Sequence, residues 1–145
     1  MSSDQQLQYQ IMEFIRAFGL LEPDRTPCGE PISVSAAHAL TELAGGQGLS
    51  QSDLGSRLRL EKSTVSRLAA DLEQKGWIER RRDTADGRII RLHLTEQGHS
   101  VSERVVSARA ALFTKLTEHI SARERLMVER ALDVLVRAVS ESKES

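Results

Sequence analysis

Residues 49–77 constrain the fold most, because two short amphipathic helical patterns follow each other there with only a few residues between them. The first pattern begins at Ser50, and the acidic Asp53 three residues later is typical of a capping box, which satisfies free N–H groups of the first helical turn. Leu54 then faces inward. Gly55 lowers the helix propensity, and we expect it to let the two helices approach closely.

The second pattern covers roughly residues 62–75 and places Val65, Leu68 and Leu72 on one buried face. Gly76 stands where a left-handed residue ends a helix. Glu61, just before this pattern, is a poor N-cap, so the first residue of the helix is not fixed by its sequence. Two short helices joined this tightly predict a helix-turn-helix.

A β-hairpin is expected directly after these helices. "IERRR" is typical of a strand, "DTADG" of a turn, and "IIRLHLT" of a second strand with Ile90, Leu92 and Leu94 on one face. Trp77, next to the helix-ending glycine, is expected to pack between helix and hairpin. The combination predicts a mainly α fold, a winged helix with one small β-hairpin.

Both ends of the chain carry further helical patterns. Apolar residues recur every three or four positions from Asp4 to Leu21, and a second helical region is capped by Thr95 and restarts at Ser121. A loop with all three prolines and a short helix near residues 35–44 lie between the first helix and the helix-turn-helix. The apolar stripes need burial. We expect them to pack against each other and a second copy; the alternative is that they wrap one monomeric core.

Charge is distributed unevenly along the chain. The net charge is −1, yet residues 50–95 hold 10 Lys/Arg and 7 Asp/Glu, whereas residues 1–49 hold 2 and 6 and residues 96–145 hold 8 and 8. The excess of positive charge therefore lies in the winged helix. This pattern argues against non-specific coating of nucleic acid and favours an anionic partner contacted through the middle of the chain.

Several classes of protein are disfavoured by what the sequence lacks. Aromatics make up 3% of 145 residues, so an aliphatic core is expected, and one cysteine permits no intrachain disulfide. No apolar run is long enough to span a bilayer and the polar start is no secretory signal, so we expect a cytoplasmic protein without membrane contact. The four histidines have no metal-ligand spacing, and no glycine-rich phosphate loop is present. We expect no cofactor, no metal and no enzymatic activity.

The joined segments resemble the MarR (multiple antibiotic resistance regulator) family of bacterial transcription factors. "STVSRLAADLEQKGWIERR" looks like the recognition helix and first strand of that family, "DGRIIRLHLT" like its wing, and "LTEQG" like the start of its fifth helix. The match covers roughly Ser33 to Gly98, and the terminal helices agree in length and periodicity. One departure is Glu61–Lys62 where family members often have Asp or Ser, then Pro.

The resemblance implies a homodimer that binds double-stranded DNA, usually as a repressor released by a small-molecule effector. The expected organisation is an N-terminal dimerisation helix and loop (residues 1–32), a winged helix-turn-helix DNA-binding domain (33–95) and C-terminal dimerisation helices (96–145). The operator is expected to be a pseudo-palindrome read by two recognition helices about one helical turn apart.

A recognition helix offers its exposed N-terminal side chains to the DNA. Arg67 is the candidate for a bidentate contact to guanine, and Lys62, Ser63 and Thr64 are candidates for phosphate contacts. Ser66 is the fifth candidate for a DNA contact on this helix. The alternative for Thr64 and Ser66 is that they are solvated helix residues.

Positive charge on the wing suits a hairpin that follows the DNA backbone or enters the minor groove. Arg88 is the first candidate for that contact, and Asp86 is expected to orient its guanidinium. Arg80, Arg81 and Arg82 cannot all face one way on a strand. We expect Arg80 or Arg82, or both, to face DNA and the others to meet neighbouring acids.

An effector pocket is expected between the dimer helices and the winged domain, because a ligand there can change the spacing of two recognition helices. Its candidate lining residues are Phe14, Arg16, Phe18 and His38. Two alternatives to a ligand-relieved repressor remain open. One is a redox-sensing regulator that uses Cys28, which lacks an adjacent basic residue; the other is a winged helix used only for protein contacts.

Overall fold

In the computed structural model of the protein, residues 1–144 are described; Ser145, the last residue of the expected C-terminal region, lies outside them. The predicted mainly α fold with a two-stranded antiparallel wing is confirmed. In chain order the elements are α1 (Ser3–Phe18), α2 (Val34–Leu43), α3 (Gln51–Leu58), α4 (Lys62–Gln74), β1 (Ile78–Arg82), β2 (Ile90–Leu94), α5 (Glu96–Thr117) and α6 (Ala122–Glu144).

Helices α3 and α4 form the predicted helix-turn-helix. The Ser50 hydroxyl accepts a hydrogen bond from the Asp53 backbone N–H at 3.0 Å, which caps α3. Glu61 is the N-cap of α4 and makes no capping hydrogen bond with its side chain. A methyl group at Gly55 would lie 3.0 Å from Val65 Cγ2. The two helices thus approach as closely as the sequence predicts, because position 55 carries no side chain.

The core is aliphatic and surrounds α2. Its largest fully buried side chains come from α2, α3, α4, β2 and α5; they are Leu40, Leu43, Leu54, Leu72, Leu92, Val65 and Val105. Trp77 packs against this cluster, as expected from its place between α4 and the wing. Ile90 differs from the expectation, because it is 44% exposed although Leu92 and Leu94 are buried. The inward-facing pattern of β2 therefore extends beyond the core toward the tip of the hairpin.

The wing is held to the helices at two places along β2. Leu49, in the loop before α3, exchanges two backbone hydrogen bonds with Leu92, of 3.1 and 2.7 Å. At the base of the hairpin, the Thr95 hydroxyl donates to the Gly76 carbonyl at 2.6 Å and accepts from the Gly98 N–H at 3.0 Å. The end of α4, the base of the wing and the start of α5 are therefore joined by one side chain.

The first helix ends earlier than its apolar pattern predicts. Gly19 adopts a left-handed conformation (φ 93°) and caps α1 after Phe18, so Leu21 lies outside the helix. Ser2 and Gln5 form a complete capping box at its start. Ser121 and Glu124 form the predicted box before α6, with hydrogen bonds of 2.9 and 3.1 Å.

The chain divides into two compact units, Met1–Arg109 and a second unit that begins at Ala110. In the first unit, α1 buries none of its residues. In the second, α6 likewise buries none of its described residues. Each of these helices keeps its apolar stripe accessible in the single chain.

Replacement of Gly98 by alanine tests the junction at the base of the wing. A methyl group there would lie 1.9 Å from the Trp77 carbonyl oxygen, so the backbone must shift. We expect G98A to lower the free energy of unfolding, measured by urea titration, by at least about 1–3 kcal/mol, the usual cost of overpacking. G45A is the matched control, since a methyl group at Gly45 meets nothing within 4 Å. Equal stability of G98A and the unchanged protein would contradict the close approach of Gly98 to the Trp77 carbonyl oxygen.

Candidate nucleic-acid interface

The N-terminal half of α4 presents the predicted recognition surface. Lys62, Ser63, Ser66 and Arg67 are exposed, and Thr64 is half-buried. The opposite face of the helix is anchored by buried side chains; these are Val65, Ala69 and Leu72. Four of the five predicted side chains are therefore accessible to a partner, and the fifth, Thr64, is only partly so.

A residue outside α4 shares this surface. Gln51, the first residue of α3, lines a shallow depression together with Glu61, Lys62, Ser63 and Ser66. Sequence reasoning missed Gln51 because its role depends on how α3 and α4 meet. A polar residue at the first position of the preceding helix was the only local signal.

At the wing, Arg88 and Asp86 form the expected pair. The two side chains make bidentate hydrogen bonds of 3.1 and 3.2 Å, and the Arg88 backbone N–H also donates to Asp86 at 3.1 Å. The Arg88 side chain nevertheless remains 91% exposed. The carboxylate thus fixes the direction of the guanidinium while leaving most of its surface free, and contact of Arg88 with DNA stays a prediction.

Asp83 organises the turn of the wing, a role that sequence reasoning did not assign. It accepts a hydrogen bond from Arg91 Nε at 2.8 Å and from the backbone N–H groups of Ala85 and Asp86 at 3.1 and 2.9 Å. An aspartate that starts a turn and bonds to N–H groups two and three residues later is the recognisable signal. Arg91 is therefore part of the structure of the hairpin.

The three consecutive arginines of β1 divide between two faces. Arg80 lies opposite Leu92 and Arg82 opposite Ile90, so both share the core-facing side of the hairpin, whereas Arg81 lies opposite Arg91. Arg81 bonds to Glu79 on its own strand. The division between faces follows from strand alternation.

The two arginines on the core-facing side have different partners. Arg82 donates to the Gly87 carbonyl at 2.8 Å. Arg80 bonds to Glu73 at 3.3 Å and to Gln51 at 3.2 Å. Arg80 is consequently tied to both helices of the helix-turn-helix, while Arg82 supports the loop at the tip of the wing.

Both wing carboxylates are held in their charged form. The pKa of Asp83 lies below its ordinary value chiefly because of the hydrogen bond from Arg91, with the Asp86 backbone N–H next in importance. The pKa of Asp86 is lowered chiefly by the side chain of Arg88 and then by its backbone N–H. The wing therefore keeps its ion pairs at neutral pH.

The four predicted effector-pocket residues lie on two helices. Phe14 and Phe18 stack on α1, with their ring centroids 5.3 Å apart. Arg16 bonds to Glu13 of the same helix at 3.1 Å. On α2, partial burial and the nearby Arg109 lower the pKa of His38. The structure thus brings the two phenylalanines together and gives Arg16 a partner of its own.

Other predicted features can be placed as well. The Cys28 thiol is half-buried, and its sulfur lies 3.0 Å from the Thr26 hydroxyl oxygen. Within residues 1–144, no group of three or more His, Cys, Asp or Glu side chains is arranged to hold a metal ion. None of the helices in that same part of the chain combines the length and the apolar character required to cross a membrane.

Comparison with known proteins gives consistent matches. Residues 31–89 match the model of the MarR family. The chain is 34% identical over 106 residues to YdgJ, an uncharacterized HTH-type transcriptional regulator of Bacillus subtilis; the match covers 73% of this chain and 63% of that protein, less than two thirds of its length. It is 29% identical over 141 residues to the HTH-type transcriptional repressor MdtR of Bacillus subtilis, and this match covers 95% of this chain and 91% of that protein.

A solved structure has the same fold. The crystal structure of Streptococcus pneumoniae FabT in complex with DNA superimposes with a TM-score of 0.80 at 22% identity, over 96% of this chain and 99% of that one. The two related Bacillus proteins are named as transcriptional regulators, and neither name describes an enzyme.

The pKa shifts of the wing give a test of its ion pairs. Titration of the side-chain ¹³C signals is expected to place the pKa values of Asp83 and Asp86 below the ordinary 3.8. In R88A the pKa of Asp86 should rise, while that of Asp83 stays low because Arg91 is retained. A lowered pKa means that the ion pairs stabilise the wing fully above the ordinary value and are lost as pH falls through the folded-state pKa. An unchanged Asp86 pKa in R88A would disprove the pairing in solution.

Proposed function

We propose that this chain, whose residues 31–89 match the model of the MarR family, is a transcriptional regulator of that family and that its winged helix-turn-helix binds double-stranded DNA. The observation that carries the proposal is the pair of exposed arginines, Arg67 on α4 and Arg88 on the wing, each on an element fixed to the core. A recognition helix reads base edges in the major groove, and a flanking basic hairpin contacts the backbone or the minor groove.

The recognition helix carries the sequence-specific part of the proposal. Arg67 is exposed two residues beyond the buried Val65, so its guanidinium is available for a bidentate contact to the O6 and N7 atoms of guanine. Lys62 and Ser63 stand at the start of the helix, where side chains and backbone N–H groups bind phosphate. Thr64 and Ser66 belong to the same proposed surface.

The wing supplies contacts that depend less on sequence. Arg88 is the proposed DNA-contacting residue at its tip, with Asp86 as orienting partner. Arg82 and Arg80 extend the positive charge along β1. Because Arg82 bonds to the Gly87 carbonyl, its guanidinium also supports the loop that presents Arg88. These contacts position the protein on the duplex while the bases specify the site.

The proposal includes a homodimer. α1 leaves Leu7 and Phe14 about half exposed, and α6 does the same with Val128, Leu132 and Val139. The three α6 positions recur at spacings of four and seven residues, which places them on one face. Apolar stripes of this kind need a partner, and a second copy would present two recognition helices to a pseudo-palindromic operator. Helices α1 and α6 would then be the dimerisation elements that flank the DNA-binding domain.

We further propose repression relieved by a small molecule. MdtR, whose match covers 95% of this chain, is named as a repressor. The stacked Phe14 and Phe18 offer an apolar surface for an effector, and Arg16 and His38 offer polar groups in the same unit, Met1–Arg109. The redox alternative has weaker support, because the neighbour found at the Cys28 thiol is the neutral Thr26 hydroxyl and reactive cysteines are activated by cations.

Binding to promoter DNA tests the central claim. We expect R67A and R88A each to weaken specific binding by about 1–3 kcal/mol, roughly five- to 150-fold, because each removes a charged contact. The measurement is a fluorescence titration of duplexes from the region next to the gene at two salt concentrations. R88A should also make the slope of log affinity against log salt shallower by about 0.9, the value for one phosphate contact.

R25A is the matched control for these variants. Arg25 lies in the loop between α1 and α2, so its removal changes the net charge equally without touching the proposed interface. Full affinity in the R67A/R88A double variant would favour a winged helix used for protein contacts and would refute the DNA-binding role of this surface.

The dimer has its own test at α6. L132E places a charge in the middle of the proposed contact, and burial of an unpaired charge is unfavourable by several kcal/mol. We expect the dissociation constant of the dimer, measured by analytical ultracentrifugation, to rise at least about tenfold. R130A, on the opposite side of α6, should leave it unchanged. A monomer in the unchanged protein would show that the exposed stripes serve another purpose.

A further inference from the structure

Gln51 occupies a position from which it can reach the same partner as the recognition helix. It is the first residue of α3, it is half-buried, and it lines one depression with Lys62, Ser63 and Ser66 of α4 and with the N-cap residue Glu61. In a helix-turn-helix, the first helix crosses the sugar–phosphate backbone while the second enters the groove. A side chain at the start of α3 therefore faces phosphate rather than base edges.

Arg80 holds the side chain of Gln51. Strand alternation turns Arg80 toward the helices, because it lies opposite the buried Leu92 in the hairpin. Its Nε donates to Glu73 at 3.3 Å and its Nη1 donates to the Gln51 side-chain oxygen at 3.2 Å. The Arg80 side chain is 34% exposed. One guanidinium thus joins β1, the last turn of α4 and the first turn of α3.

This contact fixes which end of the Gln51 amide points outward. A guanidinium has only donors, so the atom that faces it has to be the carbonyl oxygen of the glutamine. The NH2 group is then directed away from Arg80. Among residues 1–144, that amide nitrogen has no hydrogen-bond partner. The residue that carries this donor lines the same depression as Lys62 and Ser63, where an anionic oxygen would be bound.

We propose that Gln51 donates a hydrogen bond to a DNA phosphate and that Arg80 is a positioning residue that acts through Gln51 and does not touch DNA itself. The proposal rests on the proposed function and refines it. It adds a DNA contact from α3 and changes the role of one wing arginine. Glu73 completes the arrangement, because it holds the second edge of the Arg80 guanidinium and offsets its charge.

A double-mutant cycle separates positioning from direct contact. Affinity for the bound duplex from the region next to the gene is measured for Q51A, R80A and the Q51A/R80A double variant. We expect each single variant to lose about three- to tenfold, the effect of one hydrogen bond, and the double variant to lose no more than either single one. If the loss of affinity in the double variant equals the product of the two single losses, the proposal is overturned, because Gln51 and Arg80 would then act independently.

Salt dependence supplies a second readout, which separates a positioning role of Arg80 from its direct contact with phosphate. Gln51 is neutral, so its contact with a phosphate releases no counterion from the DNA. Removal of that contact therefore leaves the salt dependence unchanged. We expect R80A and Q51A to keep the slope of log affinity against log salt, whereas a direct Arg80–phosphate contact predicts a decrease of about 0.9. A smaller slope in R80A alone would assign Arg80 to the DNA.

Two further variants control for charge and folding. R81A removes the same charge one residue away on the opposite face of β1, and it should bind like the unchanged protein. Q51E keeps a partner for Arg80 but replaces the outward donor with a carboxylate, so it should bind more weakly than Q51A. If Q51E binds as well as the unchanged protein, the proposal fails. Absence of binding by the unchanged protein would instead count against the proposed function.

Discussion

The junction between the recognition helix and the wing is the constraint on which the rest of the structure depends. There the Thr95 hydroxyl bonds to the backbones of Gly76 and Gly98, and the Thr95 N–H donates to the Trp77 carbonyl at 3.0 Å. These contacts set where α4 ends, where β1 begins, where β2 ends and where α5 starts. Since the two basic surfaces lie on α4 and on the hairpin, their separation follows from this small set of backbone contacts.

Paired charge explains how a nearly neutral chain can carry a concentrated basic surface. In the wing, Arg88 bonds to Asp86 and Arg91 to Asp83, while Arg81 bonds to Glu79. Each acid reduces the net charge but directs a guanidinium, which matters more for bidentate recognition than the total charge does. The arrangement suits the proposed recognition of a defined site, because a low net charge keeps binding to unrelated DNA weak at physiological salt.

Local patterns were sufficient to predict most of the fold. Helical periodicity, the Ser50 and Ser121 caps and the alternation of Leu92 and Leu94 all act over a few residues, so they can be read directly. The end of α1 was missed because the conformation of Gly19 overrides an apolar pattern that continues to Leu21.

The site was only partly predictable, because some of its contacts join residues far apart in the chain. Arg80 and Gln51 are 29 residues apart, and their hydrogen bond exists only once α3, α4 and β1 have packed. By contrast, the Asp86–Arg88 pair is local, and its sequence spacing was informative. The assignment of individual side chains to DNA stays a prediction.

The bridge between Leu49 and Leu92 has a consequence for how the wing can move. Those two backbone hydrogen bonds make β2 the middle strand of a minimal three-stranded arrangement, so the hairpin cannot swing independently of the segment that leads into α3. Helix α4 and the hairpin beside it consequently move as one block. In the proposed assembly of two copies, the proposed effector would therefore alter the distance or angle between blocks, and each block would keep its own shape.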